Sequence, residues 1–204
     1  MQSLGFKLYL ASRSPRRREL LRQIDVEFEV LMLRERSPRG PDVSETVFPG
    51  ESPEDYVRRV CRAKVRAAWS RIGDRRMRPL PVLAADTTVA VDGVMLGKPE
   101  DRADATRMLQ LLSGKAHKVL TAVALQQGER FEMAVSETLV RFRELSDEDI
   151  AAYTLTGEPM DKAGAYAIQG RAGAFVSELH GSYSGVMGLP LYETAELIRR
   201  FTSE

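Results

Sequence analysis

The sequence predicts an α/β fold, because short apolar strand-like runs alternate along its 204 residues with amphipathic helical segments. Three observations support this prediction. An apolar run at 7–11 leads into a well-marked helix start at Ser14, a second run at 81–91 ends in an Asp-Gly turn, and a third follows at 117–125. A chain of this length can form one domain or two small lobes with a sizeable core.

The bulk composition is that of a soluble globular protein, with 43% hydrophobic and 29% charged residues. No apolar run approaches the roughly 18 residues that a membrane span needs. The N-terminal basic cluster follows a very short apolar segment, which is the reverse of a secretory signal. The single cysteine, Cys61, excludes an internal disulfide and a CxxC metal site. We therefore expect a cytoplasmic protein without a membrane partner.

The formal net charge of +1 conceals an uneven distribution along the chain. Residues 1–78 carry 18 lysines and arginines against 11 acidic residues, whereas the remainder carries 12 against 18. A basic half beside an acidic half fits nucleic-acid binding, or a phosphate-rich small ligand that faces metal-binding carboxylates. Composition leaves both interpretations open.

The first strand, predicted at 7–11, passes into a helical pattern that continues to Ile24. Ser14 is a good N-cap residue, and Pro15 suits the first helical position. Free backbone amides and the positive helix end favour an anion there. Hydroxyl and guanidinium donors that suit phosphate are supplied by Ser12, Ser14, Arg16 and Arg17. A solvated basic helix start is the alternative, and a Walker loop is excluded because its glycines are missing.

A second strand is predicted at 28–33, followed by a segment at 34–53 that is rich in proline, glycine, serine and charge. We interpret this segment as a long surface loop, a type of element that is often functional. It contains the carboxylates of Asp42 and Glu45. Their spacing alone favours solvated loop charges over a site.

The next helix is predicted to begin at Ser52, which is followed by proline and two first-turn acids. One buried face is predicted from Val57, Val60, Cys61, Ala67 and Ala68. Lys64 lies among these apolar positions. Cys61 is interpreted as core packing, because no neighbouring feature lowers the pKa of its thiol.

Asp86 lies between the apolar segments 81–85 and 87–91, and Asp92-Gly93 then predicts a two-residue hairpin turn. An unpaired carboxylate in a buried strand costs several kcal/mol. Asp86 is therefore expected to pair with a cation or to lie where a cation binds. A strand-end aspartate bonded to backbone amides is the alternative.

The remaining elements follow from periodicity and turn residues. Lys98 lies between a flexible glycine and a rigid proline, and His117 begins a strand as either an edge residue or a ligand contact. The predicted elements are a helix at 101–112 with Ala105, Met108, Leu109 and Leu112 inward, strands at 117–125, 131–142 and 174–179, a helix from Ser146 to about Tyr153, a loop at 180–188 and a closing helix at 190–201.

The segment 161–170 is too rich in small residues for a core helix and contains Asp161, Lys162 and Gln169. The Gln169 amide can both donate to and accept from a base edge. Across the chain, three acids and three lysines suit a polyphosphate held by cations, with carboxylates that bind a divalent metal and direct a water. They are Glu45, Asp86, Asp161, Lys64, Lys98 and Lys162. The few aromatics beside the basic segments argue against a nucleic-acid partner.

Five motifs, in order, resemble those of the Maf (septum-formation inhibitor-like) nucleotide pyrophosphatases. They are SRSPRRRELL, AADTTVAVDGVMLGKP, GKAHKVLTAVAL, DKAGAYAIQG and GSYSGVMGLPLYET. The resemblance implies a single domain over 1–204, with an elongated two-lobed α/β fold, a central mixed β-sheet flanked by helices and a cleft between the lobes. It also implies hydrolysis of a nucleoside triphosphate to the monophosphate and pyrophosphate, a divalent Mg²⁺ or Mn²⁺ cofactor, and a homodimer.

The DTT, DKAGAYAIQG and GSYSGVMGLP forms are similar to the branch acting on dTTP and UTP rather than on 7-methyl-GTP, which stays an alternative. By motif match, Asp86 falls on the proton acceptor, and Arg16, Thr87 and Gln169 fall on positions for substrate choice. The chain departs from the usual pattern at Arg13, between the two serines, and the irregular segment 34–41 weakens the match of Glu45.

The resemblance implies that Asp86 activates a water, directly or through the metal, to attack the α-phosphorus. Catalytic roles fall on Asp86, Glu45 and Lys98, metal binding on Asp86, Glu45 and Asp161, and substrate binding on Ser12, Ser14, Arg16, Arg17, Lys64, Thr87, Lys162 and Gln169. The nucleotide can be normal or modified, and a role in clearing nucleotides or arresting division is open. The rival hypothesis is a division inhibitor without turnover that binds protein or nucleic acid.

Overall fold

The computed structural model, described over residues 6–34 and 40–203, contains a mixed seven-stranded sheet with flanking helices, as the α/β prediction requires. The strands are β1 (Lys7–Leu10), β2 (Glu27–Val30), β3 (Val82–Val91), β4 (Val94–Leu96), β5 (Ala116–Gln127), β6 (Arg130–Phe142) and β7 (Val176–His180). The helices are α1 (Pro15–Gln23), α2 (Pro53–Asp74), α3 (Arg102–Leu112), α4 (Asp147–Leu155), α5 (Tyr183–Met187) and α6 (Leu191–Thr202).

The strand order is β2-β1-β3-β5-β6-β7, and β4 pairs with β3 outside this path. β1 runs parallel to both β2 and β3, whereas the pairs β3–β4 and β6–β7 are antiparallel. None of the described helices is long and apolar enough to cross a membrane.

The described chain divides into two compact units. The first unit comprises residues 6–34, 40–86, 121–136 and 188–203. The second unit comprises residues 87–120 and 137–187. The boundary falls inside β3, immediately after Asp86.

Helix starts in the first unit follow the predicted caps. The Ser14 hydroxyl accepts from the amide of Arg17, and the Ser52 hydroxyl accepts from the amide of Asp55. Each cap is followed by proline, which lacks the amide that a helix start cannot satisfy. The buried residues of α2 are Val57, Val60, Cys61, Val65, Ala68 and Ile72. Of the two alanines predicted on this face, Ala68 is buried and Ala67 is only partly buried, because the period of 3.6 residues places Ala67 at the edge of the buried face.

The central apolar segments form one continuous strand, β3, in which every residue except Thr87 is buried. Asp92 and Gly93 then adopt φ values of 50° and 79°. Positive φ at both central positions is what a type I′ hairpin turn requires, so the predicted turn to β4 is confirmed.

Helix caps also define the second unit. Asp101 caps α3, and Ser146 forms a reciprocal capping box with Asp149 at the start of α4. The four predicted inward residues of α3 are all buried. They pack in a core that also contains the ring of Phe142.

Three sequence predictions differ from the structure. The loop expected at 180–188 contains helix α5, because the Ser182 hydroxyl accepts from the amide of Gly185 and stabilises the first turn. β7 begins at Val176 rather than at residue 174, because a 3₁₀ segment precedes it, and β2 ends at Val30 rather than at residue 33.

The long loop predicted at 34–53 agrees with the structure where it is described. Residues 40–52 are free of helix and strand, and residues 35–39 lie outside the described residues.

Candidate active site

The carboxylate of Asp86 is buried in the first unit and pairs with a lysine there. It lies in β3 and is only 6% exposed. Its Oδ1 accepts a hydrogen bond of 2.6 Å from Lys64 Nζ. Its Oδ2 is also buried and accepts no hydrogen bond from the described residues. The expected pairing with a cation is therefore present, and one carboxylate oxygen remains for a further partner.

Lys64 joins two carboxylates from distant parts of the chain. Its Nζ lies 2.6 Å from Asp86 Oδ1 and 2.6 Å from Glu45 Oε1. Burial opposes the charge on Lys64, but attraction to both carboxylates outweighs it and raises the pKa of this lysine. We call Glu45, Lys64 and Asp86 the acid–lysine cluster. Its formal charge is −1, and the adjacent Arg17 guanidinium interacts electrostatically with both carboxylates.

The loop that carries Glu45 is attached to the protein at several points. Asp42 accepts from the backbone and side chain of Arg34 and pairs with Arg71 at 2.5 Å. Backbone and guanidinium donors outweigh partial burial and lower the pKa of Asp42. The Tyr56 hydroxyl donates to the Glu45 carbonyl at 3.1 Å. Asp42 is therefore an anchor rather than a solvated charge.

Arg17 contacts main-chain oxygens next to the cluster. Its Nε donates to the Gly188 carbonyl at 2.6 Å, and its Nη1 donates to the Ala85 carbonyl at 2.8 Å. Burial lowers the pKa of Arg17, and the charge of Asp86 opposes this shift. Arg17 thus ties the backbone that precedes Asp86 to the backbone at Gly188.

The start of α1 carries the other predicted phosphate residues. The Ser12 hydroxyl accepts from the Ser14 amide at 3.2 Å and from Arg17 Nη1 at 3.4 Å. Both serines retain their own O–H for donation. Arg16 is partly buried at the second position of the helix. The structure therefore gathers serine hydroxyls and arginines at one helix N-terminus, as the spacing predicts.

The cluster fits a divalent cation that is shared with a substrate. Among the described residues, no group of three His, Cys, Asp or Glu side chains forms a metal site by itself. Glu45 and Asp86 nevertheless converge on a single nitrogen, and Asp86 Oδ2 is buried and has no partner within residues 6–34 and 40–203. Mg²⁺ commonly takes one or two carboxylates, waters and substrate phosphate oxygens. The donor set is suitable for that arrangement.

The second unit contains the remaining predicted site residues. Thr87 is the partly exposed residue of β3, and Lys98 is exposed between β4 and α3. The Gly164 amide donates to the Gly97 carbonyl at 3.0 Å, which joins the segments that carry Lys98 and Lys162. Lys162 Nζ donates to the Glu158 carbonyl at 3.1 Å.

Asp161 and Gln169 differ in their surroundings. Asp161 forms an ion pair with Lys162. Gln169 is exposed and is preceded by the buried Ala167 and Ile168. An exposed amide on a backbone that is fixed beneath it can contact a ligand at its polar edge.

Cys61 and His117 are core residues. Burial raises the pKa of the Cys61 thiol to about 12, which excludes a nucleophilic thiolate at neutral pH. His117 is 1% exposed, and its ring packs edge-on against Phe142 and Tyr166. The edge interpretation of His117 is therefore wrong, because the aromatic core of the second unit surrounds it.

Sequence reasoning missed Tyr56, Tyr153 and Glu158. Tyr56 lies four residues after the predicted N-cap of α2. This position, one turn into the helix, is the only local feature of the sequence that indicates its contact with the Glu45 carbonyl. Tyr153 and Glu158 bond to each other and to the backbone near Gln169. A tyrosine on the inward face of α4 is the one signal that could have indicated a buried hydroxyl.

Comparisons with known proteins agree over nearly the whole chain. A family model described as Maf-like protein matches residues 7–201. The chain is 53% identical over 194 residues to the dTTP/UTP pyrophosphatase of Nitrosomonas europaea, covering 95% of this chain and 94% of that protein. It is 53% identical over 203 residues to the dTTP/UTP pyrophosphatase of Aromatoleum aromaticum, covering 98% of each. It is 54% identical over 193 residues to that of Bordetella pertussis, covering 95% and 91%.

Proposed function

We propose that this chain, which belongs to the Maf-like family, hydrolyses dTTP and UTP to the monophosphate and pyrophosphate. The activity named for relatives with 53% identity over almost their whole length supports this substrate choice. The observation that carries the chemistry is the buried Asp86 carboxylate, with one oxygen bonded to Lys64 and the other without a partner among the described residues.

Asp86 is suited to orient a water and accept its proton. Oδ2, which has no partner among the described residues, can take a hydrogen bond from a water, and the bond from Lys64 fixes the orientation of the carboxylate. The Arg17 contact with the Ala85 carbonyl holds the backbone that precedes Asp86. The water then attacks the α-phosphorus, the bond to the bridging oxygen breaks, and pyrophosphate leaves with that oxygen.

The triphosphate is held by the cationic helix start and by lysines. Ser12, Ser14 and Arg16 supply hydroxyl and guanidinium donors at the N-terminus of α1, where the helix dipole also favours an anion. Arg17 is a further proposed phosphate contact. Lys64, Lys98 and Lys162 are proposed as further phosphate contacts, and Lys98 also balances charge that develops on the leaving group.

Glu45 and Asp86 are the proposed ligands of Mg²⁺ or Mn²⁺, and Asp161 is a proposed third. When bound, the cation neutralises phosphate charge and lowers the pKa of coordinated water. The pairing of Asp161 with Lys162 must loosen for this carboxylate to reach a cation. The two carboxylates that already share the Lys64 nitrogen are therefore the stronger part of this proposal.

Base selection is assigned to Thr87 and Gln169, with Arg16 beside the phosphates. A pyrimidine such as thymine or uracil presents carbonyl oxygens and one N–H, which a hydroxyl and an amide can match.

We propose further that both units form one Maf-like domain, which the family model spans, and that the protein acts as a cytoplasmic homodimer. Gel filtration with light scattering tests the dimer.

A nucleotide panel with pyrophosphate detection tests the function. The purified chain is incubated with dTTP, UTP, dCTP, GTP and 7-methyl-GTP, with Mg²⁺, with Mn²⁺ or with a chelator. The expected result is pyrophosphate release from dTTP and UTP that the chelator abolishes. Preference for 7-methyl-GTP would overturn the pyrimidine assignment. No release from any nucleotide would favour an inhibitor that acts by binding alone.

A further inference from the structure

We propose that Tyr153 and Glu158 orient Gln169 for base selection by fixing the backbone of residues 167–171, which we call the Gln169 turn. This proposal rests on the proposed function, because it gives a positioning role for the same nucleotide site. Neither residue contacts the reacting atoms in this proposal. Each acts through the turn.

The Tyr153 hydroxyl bonds both to the Gln169 turn and to Glu158. Tyr153 is 3% exposed, and its ring packs edge-on against Phe175 at 5.2 Å between centroids. Its hydroxyl accepts from the Ala167 amide at 3.1 Å and donates to Glu158 Oε1 at 2.9 Å. A buried hydroxyl that makes both bonds has a single orientation, so it fixes the first residue of the turn.

Glu158 fixes the other end of the turn. Its Oε2 accepts from the Arg171 amide at 3.3 Å, while Oε1 receives the tyrosine hydroxyl. The Thr156 hydroxyl accepts from the Glu158 amide at 3.1 Å and holds the glutamate backbone. One carboxylate therefore links Tyr153 to the residue that ends the turn. Ala167 and Arg171, on the two sides of Gln169, are thereby tied to the same pair of side chains.

Gly170 shows how closely the carboxylate approaches the turn. A Cβ added at Gly170 would lie 2.1 Å from Glu158 Oε1, which is far inside contact distance. The backbone φ at this position is −101°, a value that any residue can adopt. A side chain at this position would therefore displace the Glu158 carboxylate.

The turn directs its middle residue outward. The Gly170 amide donates to the Ala167 carbonyl at 3.0 Å and closes the turn. Ala167 and Ile168 are buried, whereas Gln169 is exposed. An amide that must donate and accept toward one base depends on the direction of its Cα–Cβ bond. A loosened turn therefore weakens selection more than it weakens the attack on phosphorus.

Tyr153→Phe tests this role because it removes only the hydroxyl and keeps the ring. We expect KM for dTTP to rise about 5- to 10-fold, kcat to change less than about twofold, and preference for dTTP over dCTP to fall. In a Gln169→Ala background the same substitution should add little further change. Tyr192→Phe, at a residue that is 73% exposed on α6, is the matched control and should change neither constant.

Gly170→Ala tests the same contact from the other side. Its Cβ should displace the Glu158 carboxylate and produce a rise in KM similar to that of Tyr153→Phe. The two effects should be less than additive, because they break one arrangement. Unchanged KM and preference in both variants would overturn the proposal. So would an equal effect of Tyr153→Phe with and without the Gln169 side chain, which would indicate general destabilisation.

Amide hydrogen exchange separates this proposal from the proposed function. Tyr153→Phe should speed exchange at the Ala167 amide about tenfold or more, while the buried amides of β3 keep their protection. Unchanged exchange at Ala167 would overturn the positioning role, whether or not the enzyme hydrolyses dTTP. Failure of the wild-type chain to release pyrophosphate would instead overturn the proposed function, and the exchange result would still stand.

Discussion

The acid–lysine cluster and the Gln169 turn are organised by different forces. In the cluster, one buried ammonium holds two carboxylates that come from a loop and from a strand. In the turn, neutral backbone amides are held by a buried hydroxyl and by a carboxylate, and the residue that faces outward is uncharged. Charge thus fixes the proposed chemical step, whereas backbone hydrogen bonds fix the proposed base contact.

This difference predicts that the two regions fail in different ways. Loss of a charge in the cluster leaves its partners buried without compensation, which affects both stability and turnover. Loss of a hydrogen bond near the turn leaves the phosphates and the water untouched and changes mainly which base is accepted. Variants in each region should therefore separate kcat from nucleotide preference.

The largest expected effect is that of Asp86→Asn. The amide keeps the size of the side chain but cannot accept a proton, so kcat should fall about 10³-fold or more. Pyrophosphate release from dTTP measures this loss, and circular dichroism checks the fold. Asp92→Asn, at the exposed hairpin turn, is the control with full activity. Release by Asp86→Asn near the wild-type rate would remove Asp86 from the chemistry.

Lys64→Met should cause the next largest effect, on stability. It leaves Asp86 buried and without its cation, which should lower the free energy of unfolding by about 3–4 kcal/mol at pH 7. Thermal unfolding of the wild type and the variant at pH 7 measures this loss.

Mn²⁺ provides a second measurement on Lys64→Met. A divalent cation can replace the missing ammonium between Glu45 and Asp86, so Mn²⁺ should raise the Tm of this variant more than that of the wild type. Lys118→Met removes an exposed pair with Glu137 and serves as the control. Equal Mn²⁺ shifts in the wild type and both variants would argue against a cation between these two carboxylates.

The aromatic core of the second unit should be destabilised by the gain of a charge, whereas the acid–lysine cluster is destabilised by the loss of one. Burial lowers the pKa of His117 to about 4 from its ordinary 6.5. The unfolded state binds the proton first, so stability should decline as the pH falls from about 6.5 to about 4, by up to about 3 kcal/mol. His117→Gln should remove this component, whereas exposed His180→Gln should retain it. Identical pH profiles for all three proteins would contradict a buried neutral His117.

Local features of the fold could be predicted from the sequence. Ser14, Ser52 and Ser146 cap the expected helices, and Asp92-Gly93 makes the expected turn. Each of these depends on side chains and backbone within four residues, so sequence spacing contains the relevant geometry. The alternation of strands and helices follows for the same reason.

Pairings between distant residues could not be predicted from spacing. The bond from Lys64 to Asp86 spans 22 positions, and the contact from Arg17 to Gly188 spans 171. Periodicity placed Lys64 near the buried face of α2 but could not name its partners. By sequence His117 could be an edge residue or a ligand contact, and only its packing against the distant rings of Phe142 and Tyr166 places it in the core. Family resemblance supplied Thr87, whereas the amide chemistry of Gln169 already indicated a base contact.

The smallest expected effects are those of Gln169→Ala and Thr87→Val, and they give the most selective test of the comparison. Each removes one polar contact to the base while leaving the cluster unchanged, so the ratio of kcat/KM for dTTP and dCTP should change about tenfold or less. The kcat for dTTP at saturation should stay within about threefold of the wild type. If kcat falls as steeply as in Asp86→Asn, base contact and chemistry are not separable. If the ranking of nucleotides stays the same, base selection lies elsewhere in the chain.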